Sequence, residues 1–222
     1  MHDDTQPTRV AQMAKAIADG QFPVRWVSDL GYGYGYPLFN FYAPLPYYVG
    51  AAAHLLGMNL ISATKLMFGI GMLLAPITMY LLAASWWGKR GGLLSAILYT
   101  YTPYHAVEVY VRGSVGELWA YGFLPLVILG IFEGRKKTLR GVYIGGIGLA
   151  GVILSHNIIA LVTAGFLVLW LLIDTSIAVI QPTTLNNLKK SICILGIGLG
   201  LSAFFWLPAL VEAPLTKSQL LI

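Results

Sequence analysis

Apolar residues fill most of the chain after residue 59, in runs that short polar connections separate. Most of these runs match the ~17–25 residues that an α-helix needs to cross the hydrocarbon core of a bilayer. They cover residues 60 to 86, 91 to 105, 116 to 132, 140 to 156, 157 to 180 and 190 to 208. The pattern predicts an all-α, polytopic bundle of about six membrane-spanning helices.

The first 59 residues instead mix charged, aromatic and glycine residues with apolar ones. Apolar positions recur at helical spacing from Val10 to Ile17, so residues 6–19 are predicted to form an amphipathic helix in the membrane interface. Residues 46–57 favour a second helix, whose length of roughly 18 Å is too short for a core of ~30 Å. We therefore predict that residues 1–59 form an outward loop with two juxtamembrane helices and that residues 60–222 form the transmembrane domain.

Composition assigns the chain to the integral membrane proteins. Hydrophobic residues make up 57% of it and charged residues 10%, whereas a soluble domain carries about 25% charged residues. The net charge of +5 comes from short clusters between apolar runs, so we expect membrane lipids as partners and no nucleic acid. The single cysteine, Cys193, excludes internal disulfides and thiolate metal clusters.

The distribution of cations predicts how the chain is oriented. Cations cluster in three connections, at Lys89-Arg90, at Arg135-Lys136-Lys137 with Arg140, and at Lys189-Lys190. The positive-inside rule assigns these connections to the cytoplasm. With six spans, the loop of residues 1–59 and the loop near residues 105–116 then face outward. We therefore expect a multi-pass protein of a cell membrane whose N-terminal loop is extracytoplasmic.

The outward face collects the groups that could carry chemistry. Asp3 and Asp4 could be catalytic, or they could interact favourably with the positive end of the first helix. Glu117 begins a span, where a carboxylate is costly unless it faces protein or a wet cavity. His156 occupies a turn at a similar depth, where it could bind a substrate or cap a helix end.

The other polar signals are weaker. Glu108 and Arg112 are four residues apart and could form no more than a weak surface pair. The sequence has no phosphate-binding loop, nucleophile elbow or zinc-binding motif of a soluble enzyme. Any chemistry therefore has to come from groups that the fold brings together.

An aromatic segment gives the outward loop a second possible role. Glycine and tyrosine alternate from Gly31 to Tyr36, and this pattern permits a tight loop with projecting rings. Trp26, Tyr34 and Tyr36 could belong to the aromatic belt that membrane proteins place at the headgroup level. The alternative is a platform on which sugar rings stack.

Several motifs together resemble a known membrane family. They are His2-Asp3, Arg9, Gly20–Trp26, Tyr34–Phe39, Phe41–Tyr48, Val111–Glu117, Leu154–Asn157 and Phe204–Glu212. The combination resembles the membrane proteins labelled 6-pyruvoyl-tetrahydropterin synthase-related. The enzyme in that label is soluble and uses a histidine triad to bind zinc, whereas the four histidines of this chain are scattered, so pterin synthesis is not expected.

The architecture is also similar to that of GT-C glycosyltransferases, which transfer a sugar from a polyprenyl-phosphate carrier at the outer face of the membrane. The resemblance implies that Asp3, with Asp4 beside it, acts as a general base or holds a divalent cation such as Mg²⁺ or Mn²⁺. Glu117 is implied as a further catalytic carboxylate. The residues implied in substrate binding are Arg9, Arg25, Trp26, Tyr34, Tyr36, Arg112 and His156, with the arginines as phosphate partners.

The chain also departs from that family. It starts at the outward loop without the span that normally precedes His2-Asp3, and it ends soon after Glu212. We therefore expect a fragment of a longer protein, and the resemblance leaves open whether this chain alone is active. The competing hypothesis is a non-catalytic membrane protein that binds or exports a lipid-linked glycan.

Overall fold

The computed structural model describes residues 4–136, 139–181 and 185–216, and all regular elements of these residues are helices. His2, Asp3 and Lys137 lie outside the described residues. The helices are α1 (Gln6–Ala18), α2 (Leu38–Phe41), α3 (Leu45–Leu55), α4 (Leu60–Thr100), α5 (Pro103–Ala106), α6 (Val115–Gly134), α7 (Arg140–Ser155), α8 (Asn157–Ile180) and α9 (Leu185–Glu212). A π-helix, Val107–Arg112, continues α5, and a 3₁₀-helix, Ala213–Leu215, follows α9.

The two predicted helices of the N-terminal part are both present. Helix α1 buries Val10 and Met13 completely, and it packs against α3 and α4. Helix α3 ends at Leu55, two residues before Gly57, whose φ of 102° no longer permits a regular helix. Tyr47 of α3 is fully buried in a core that these helices share with Met67 of α4 and Leu118 of α6, so the N-terminal helices pack directly on one end of the bundle.

Among the described residues, four helices are long and apolar enough to cross a membrane, and α7 is a shorter apolar helix. The four are Leu60–Thr100, Val115–Gly134, Asn157–Ile180 and Leu185–Leu215. The predicted run at 60 to 86 and most of the run at 91 to 105 fall within α4. The helix ends at Thr100, five residues before the second run does. It ends there because Thr102 precedes Pro103 and adopts an extended conformation, as residues before proline do.

Helix α4 folds back on itself at Gly88. This residue has φ 70° and ψ −178°, which is not a helical conformation. A Cβ atom placed on Gly92 would lie 2.8 Å from the Cβ of Ala84, although residues eight apart on a straight helix are about 12 Å apart. The two arms of α4 therefore run side by side in opposite directions.

Hydrogen bonds to α6 support this reversal. The hydroxyl of Thr78, on the first arm, donates to the carbonyl of Gly122 at 2.7 Å. The hydroxyl of Tyr99, on the second arm, donates to the carbonyl of Tyr121 at 2.9 Å. Because Tyr121 and Gly122 are adjacent, both arms of α4 contact α6 at the same height.

Glycines allow α7 to lie at the centre of the remaining helices. A Cβ atom on Gly130 of α6 would lie 2.1 Å from the Cα of Gly145, and one on Gly198 of α9 would lie 2.5 Å from the side chain of Leu149. Such close approach leaves no room for a larger residue and fixes α6 and α9 against α7. This contact determines where the residues at the ends of these helices meet.

Polar contacts divide the molecule into two ends. At one end, Gln6 donates to the carbonyl of Gly113 at 2.9 Å and Asn157 donates to the carbonyl of Phe41 at 2.6 Å. At the other end, Arg135 pairs with Asp174 at 2.6 Å. The first end gathers the N-terminal helices, the π-helix and the α7–α8 junction, and the second gathers the cationic connections.

We expect Gly88→Ala to lower the free energy of unfolding by roughly 1–3 kcal/mol, because only glycine adopts this backbone conformation without strain. Denaturation of the purified protein in detergent micelles measures the effect.

Gly196→Ala is the matched control. Gly196 is helical, and a Cβ there would meet no atom within 4 Å. This change should stabilise the protein by up to about 1 kcal/mol through helix propensity. Equal stability of the wild type and Gly88→Ala would contradict the reversal.

Candidate functional site

Helix α5, the π-helix and the first turn of α6 bring together four side chains at one end of the bundle. Tyr104, Glu108 and Arg112 are spaced four residues apart, so they share one face of the α5 and π-helix segment. Gly113 then adopts a left-handed conformation with φ 68° and lets the chain turn directly into α6. The turn leaves Glu117, in the first turn of α6, facing Arg112.

Glu117 is the centre of this cluster. Arg112 binds it with two nitrogens, Nη1 to Oε2 and Nη2 to Oε1, both at 2.6 Å. The hydroxyl of Tyr104 donates to Oε2 at 2.9 Å, and Nε2 of His156 lies 3.5 Å from Oε1. The carboxylate is thereby surrounded by donors, which offsets the cost of burying it.

The interpretation of Glu108 and Arg112 as a weak surface pair is wrong for Glu108. Its side chain is 1% exposed, and its Oε1 accepts from Arg112 at 2.8 Å. No hydrogen-bond partner for its Oε2 is found among the described residues. One guanidinium thus binds two buried carboxylates but neutralises only one of them, and Glu108 is left with an unsatisfied oxygen.

Protonation of Glu108 resolves this imbalance. Burial, together with the neighbouring Glu117, raises the pKa of Glu108 from 4.5 to about 7. Burial lowers the pKa of His156, an effect that the charge of Glu117 partly opposes. Near neutral pH the cluster therefore gains or loses a proton at Glu108 and keeps Glu117 paired with Arg112.

Arg9 and His156 lie next to the same cluster. The guanidinium of Arg9 stands 4.7 Å from the ring centre of Tyr42 and donates to the hydroxyls of Tyr42 and Tyr47, each at 3.3 Å. Tyr42 and His156 both line a cavity of about 180 Å³. Four of the predicted site residues, Arg9, Arg112, Glu117 and His156, are therefore gathered at one end of the bundle.

The other predicted binding residues lie in a separate loop. The backbones of Val27 and Tyr36 exchange two hydrogen bonds of 2.9 Å, which close the loop that carries Tyr34, and Trp26 directly precedes this loop. The side chains of Trp26, Tyr34 and Tyr36 are 47%, 89% and 52% exposed. Within the described part of the chain, no hydrogen bond, ion pair or ring contact joins them or Arg25 to the Glu117 cluster.

Asp4 lies in a groove of about 470 Å³ between α1 and α4. The groove is lined by Asp4, Gln6, Pro7, Ile61, Thr64, Lys65, Phe68, Gly69, Met72 and Val109. Because the α4 residues recur every three or four positions, the groove follows α4 for roughly 16 Å from Ile61 to Met72. Its polar residues are near the start of α4, and its lining becomes apolar further along the helix.

The predicted metal site at Asp3 and Asp4 falls half outside the described residues, because Asp3 is not among them. Among the residues that are described, no group of three or more histidine, cysteine or acidic side chains could hold a metal ion. The divalent cation therefore stays a prediction.

The sequence analysis did not single out Lys65, Tyr104 or Glu108 as site residues. Lys65 is the one charged residue in the run from 60 to 86, and an isolated charge in a span is a signal of function. Tyr104 and Glu108 share a helical face with Arg112, which is a weaker signal. Burial, the property that makes Glu108 unusual, is not visible in the sequence.

Comparisons with known proteins support the membrane interpretation. A family model described as "6-pyruvoyl-tetrahydropterin synthase related domain; membrane protein" matches residues 39–218. An uncharacterized protein of Lactococcus lactis subsp. cremoris (strain MG1363) is 27% identical over 215 residues, which are 91% of this chain and 34% of that protein. The chain thus spans about a third of the length of that relative. No solved structure matches it significantly.

We expect the stability of the protein to fall as the pH rises from about 5 to about 8. The pKa of Glu108 in the folded protein, about 7, lies above its ordinary value of 4.5. The contribution of protonated Glu108 to the stability of the folded protein is therefore complete below pH 4.5 and is lost as the pH rises through 7. Glu108→Gln keeps a donor in this position without titrating, so its melting temperature in micelles should change less across this range.

Asp29→Asn is the control, because hydrogen bonds from Lys15 and Gln12 lower the pKa of Asp29 to about 2 and keep it ionised throughout. This variant should follow the wild-type curve. If Glu108→Gln also follows that curve, Glu108 does not titrate in this range.

Proposed function

The chain belongs to the membrane-protein family described as 6-pyruvoyl-tetrahydropterin synthase related, and on that premise we propose that it forms part of a glycosyltransferase. The enzyme transfers a sugar from a polyprenyl-phosphate carrier to an acceptor hydroxyl at the extracytoplasmic face of a cell membrane. Its architecture is GT-C-like, with the α1–α3 part as the outward loop above the bundle.

In this proposal the chain crosses the membrane six times. The first arm of α4 is the first crossing, because the chain reverses at Gly88. The second arm reaches only about 18 Å, so it makes the second crossing together with α5, which follows it. Helices α6 to α9 supply the other four, with α7 as a short crossing enclosed by its neighbours. The cationic end, with Arg135 and Lys190, then faces the cytoplasm, and the Glu117 cluster faces outward.

The lining of the groove along α4 is the observation that carries the proposal. Asp4 and Lys65 occupy its polar end, whereas Phe68 and Met72 line its apolar part deeper along α4. A polyprenyl phosphate has the same division, with a charged head and a long hydrocarbon tail. The tail fits along the apolar part of the groove, and the phosphate reaches the ammonium group of Lys65.

The proposed reaction uses Asp4, Lys65 and the neighbouring Asp3. Asp4 or Asp3 takes the proton of the acceptor hydroxyl while the oxygen of that hydroxyl forms a bond to the anomeric carbon of the sugar. The bond from this carbon to the phosphate oxygen breaks, and the polyprenyl phosphate leaves with its electron pair. Lys65 stabilises the charge on the departing phosphate, and a Mg²⁺ or Mn²⁺ ion held by the two aspartates would add to this effect.

The Glu117 cluster forms the second half of the proposed site. Val109, the neighbour of Glu108, lines the same groove as Asp4, so the cluster adjoins the polar end of the groove. Arg112 is held by two carboxylates, and Lys65 is therefore the better phosphate partner. Glu117, His156 and Arg9 are assigned to the acceptor side, where they bind hydroxyl groups.

The alternative is a protein that binds lipid-linked glycan without transferring it. The exposed rings of Trp26, Tyr34 and Tyr36 favour this alternative, because sugars stack on aromatic faces that solvent can reach. The same exposure also suits an aromatic belt at the headgroup level. Only the glycosyltransferase transfers sugar, so a transfer assay distinguishes it from a glycan-binding protein and from an aromatic belt.

We expect Asp4→Asn, alone and with Asp3→Asn, to lower sugar transfer about 10²–10⁴-fold, the usual contribution of a general base. Transfer of radiolabelled sugar from polyprenyl-phosphate donors is measured in membranes that contain the full-length protein. Asp19→Asn, at an exposed carboxylate after α1, is the control and should leave transfer unchanged. If no donor supports transfer and Tyr34→Ala or Tyr36→Ala abolishes glycan binding, the non-catalytic alternative is correct.

We also expect Gly69→Leu to weaken the binding of polyprenyl phosphate about tenfold or more, because the added side chain fills the groove and must be displaced. A Cβ on Gly69 meets no atom within 4 Å, so the change should not disturb the fold.

Gly165→Leu provides the matched control, since Gly165 is also helical with open space around it and does not line the groove. Binding of radiolabelled polyprenyl phosphate to the purified protein is the measurement. If the two leucine variants bind equally well, the lipid chain does not occupy the groove along α4.

A further inference from the structure

A second groove lies at the opposite end of the bundle, where α4 and α7 flank α6. Its volume is about 330 Å³. Five apolar side chains make up most of its walls, namely Leu81, Leu126, Leu129, Ile144 and Ile147. Nothing in the proposed glycosyltransferase reaction uses this groove, because the reacting groups are all at the other end.

The packing of the three helices creates this groove. Helix α7 approaches α6 at the Gly130–Gly145 contact, and the first arm of α4 is joined to α6 by the bond from Thr78 to Gly122. Helices α4 and α7 therefore contact α6 from different sides. Helix α6 forms the floor between them, and the groove extends along α7 for roughly 10 Å from Arg140 to Ile147.

The mouth of the groove has a net positive charge. It is formed by Ser85, Glu133 and Arg140. Glu133 is neutralised by Lys136, whose Nζ lies 2.5 Å from its Oε1. For Arg140, the described residues provide neither an ion-pair partner nor a side-chain hydrogen bond, so its charge is free to bind an anion.

The position of Arg140 strengthens this effect. It is the first residue of α7, and the positive end of the helix dipole lies at the same place. The charge of Arg140 and the positive end of the α7 dipole repel each other. An anion beside Arg140 would be attracted to both. Lys89 and Arg90 follow Ser85 closely in the chain and add to the positive potential at this end.

We propose that this groove binds an anionic phospholipid of the membrane leaflet at this end of the bundle. One acyl chain lies between α4 and α7, and the phosphate lies on Arg140. The apolar walls exclude a soluble anion as the natural occupant, because such an anion would leave them unfilled. The net charge of the mouth favours phosphatidylglycerol over zwitterionic phosphatidylcholine.

Native mass spectrometry tests the proposal with the full-length protein released from micelles that contain equal amounts of phosphatidylglycerol and phosphatidylcholine. The wild type should retain phosphatidylglycerol preferentially. Arg140→Gln should lower the relative affinity for phosphatidylglycerol about fivefold, the effect of one cation beside an anionic headgroup.

Lys189→Gln is the matched control, because it removes the same charge from an exposed residue that does not line the groove. Ser85→Phe supplies an independent test, since it fills the mouth of the groove and leaves every charge in place.

Three results would overturn the proposal. They are equal retention of the two lipids by the wild type, an equal effect of Arg140→Gln and Lys189→Gln, and displacement of the lipid by inorganic phosphate alone. None of them depends on sugar transfer, so this test and that of the proposed function can fail separately.

Discussion

A carboxylate at the entrance of a membrane-spanning helix is stable only when donors surround it, and the end of the bundle that carries the π-helix is arranged around Glu117 for that reason. Arg112 comes from the preceding π-helix, Tyr104 from the turn before it, and His156 from the junction of two other helices. Each of these contacts holds a different segment in place. The same few bonds therefore position the segments next to which substrate groups would bind.

Close contacts between helix backbones determine where those segments begin. Gly145 brings α7 against α6, and Gly116 of α6 lies so near the carbonyl of Ser155 that a Cβ there would be 2.6 Å from it. The second contact places the α7–α8 junction beside the first turn of α6. His156 can reach Glu117 because of this packing, and its ring also accepts a hydrogen bond from the backbone of Ile159, which fixes its orientation.

The two ends of the bundle differ in how their charges are balanced. At the end that carries the π-helix, Glu108 and Glu117 share one guanidinium, and a proton completes the balance. At the other end, Asp174 is paired with Arg135, whose guanidinium also lies 4.9 Å from the ring of Trp170, and Arg140 is left over. We therefore propose hydroxyl groups and a single lipid phosphate at Lys65 as ligands of the first end, and anionic headgroups as ligands of the other end.

The sequence by itself determined the membrane class, the family, the positions of the N-terminal helices and most helix boundaries in the bundle. These properties depend on local composition and on spacing within one helix, which can be read along the chain. The tertiary structure decided that α4 reverses at Gly88, that Glu108 is buried, and that Lys65 shares a groove with Asp4. These three features depend on packing and on contacts between segments that are distant in the chain. Hydrophobic periodicity carries no information about which helices become neighbours.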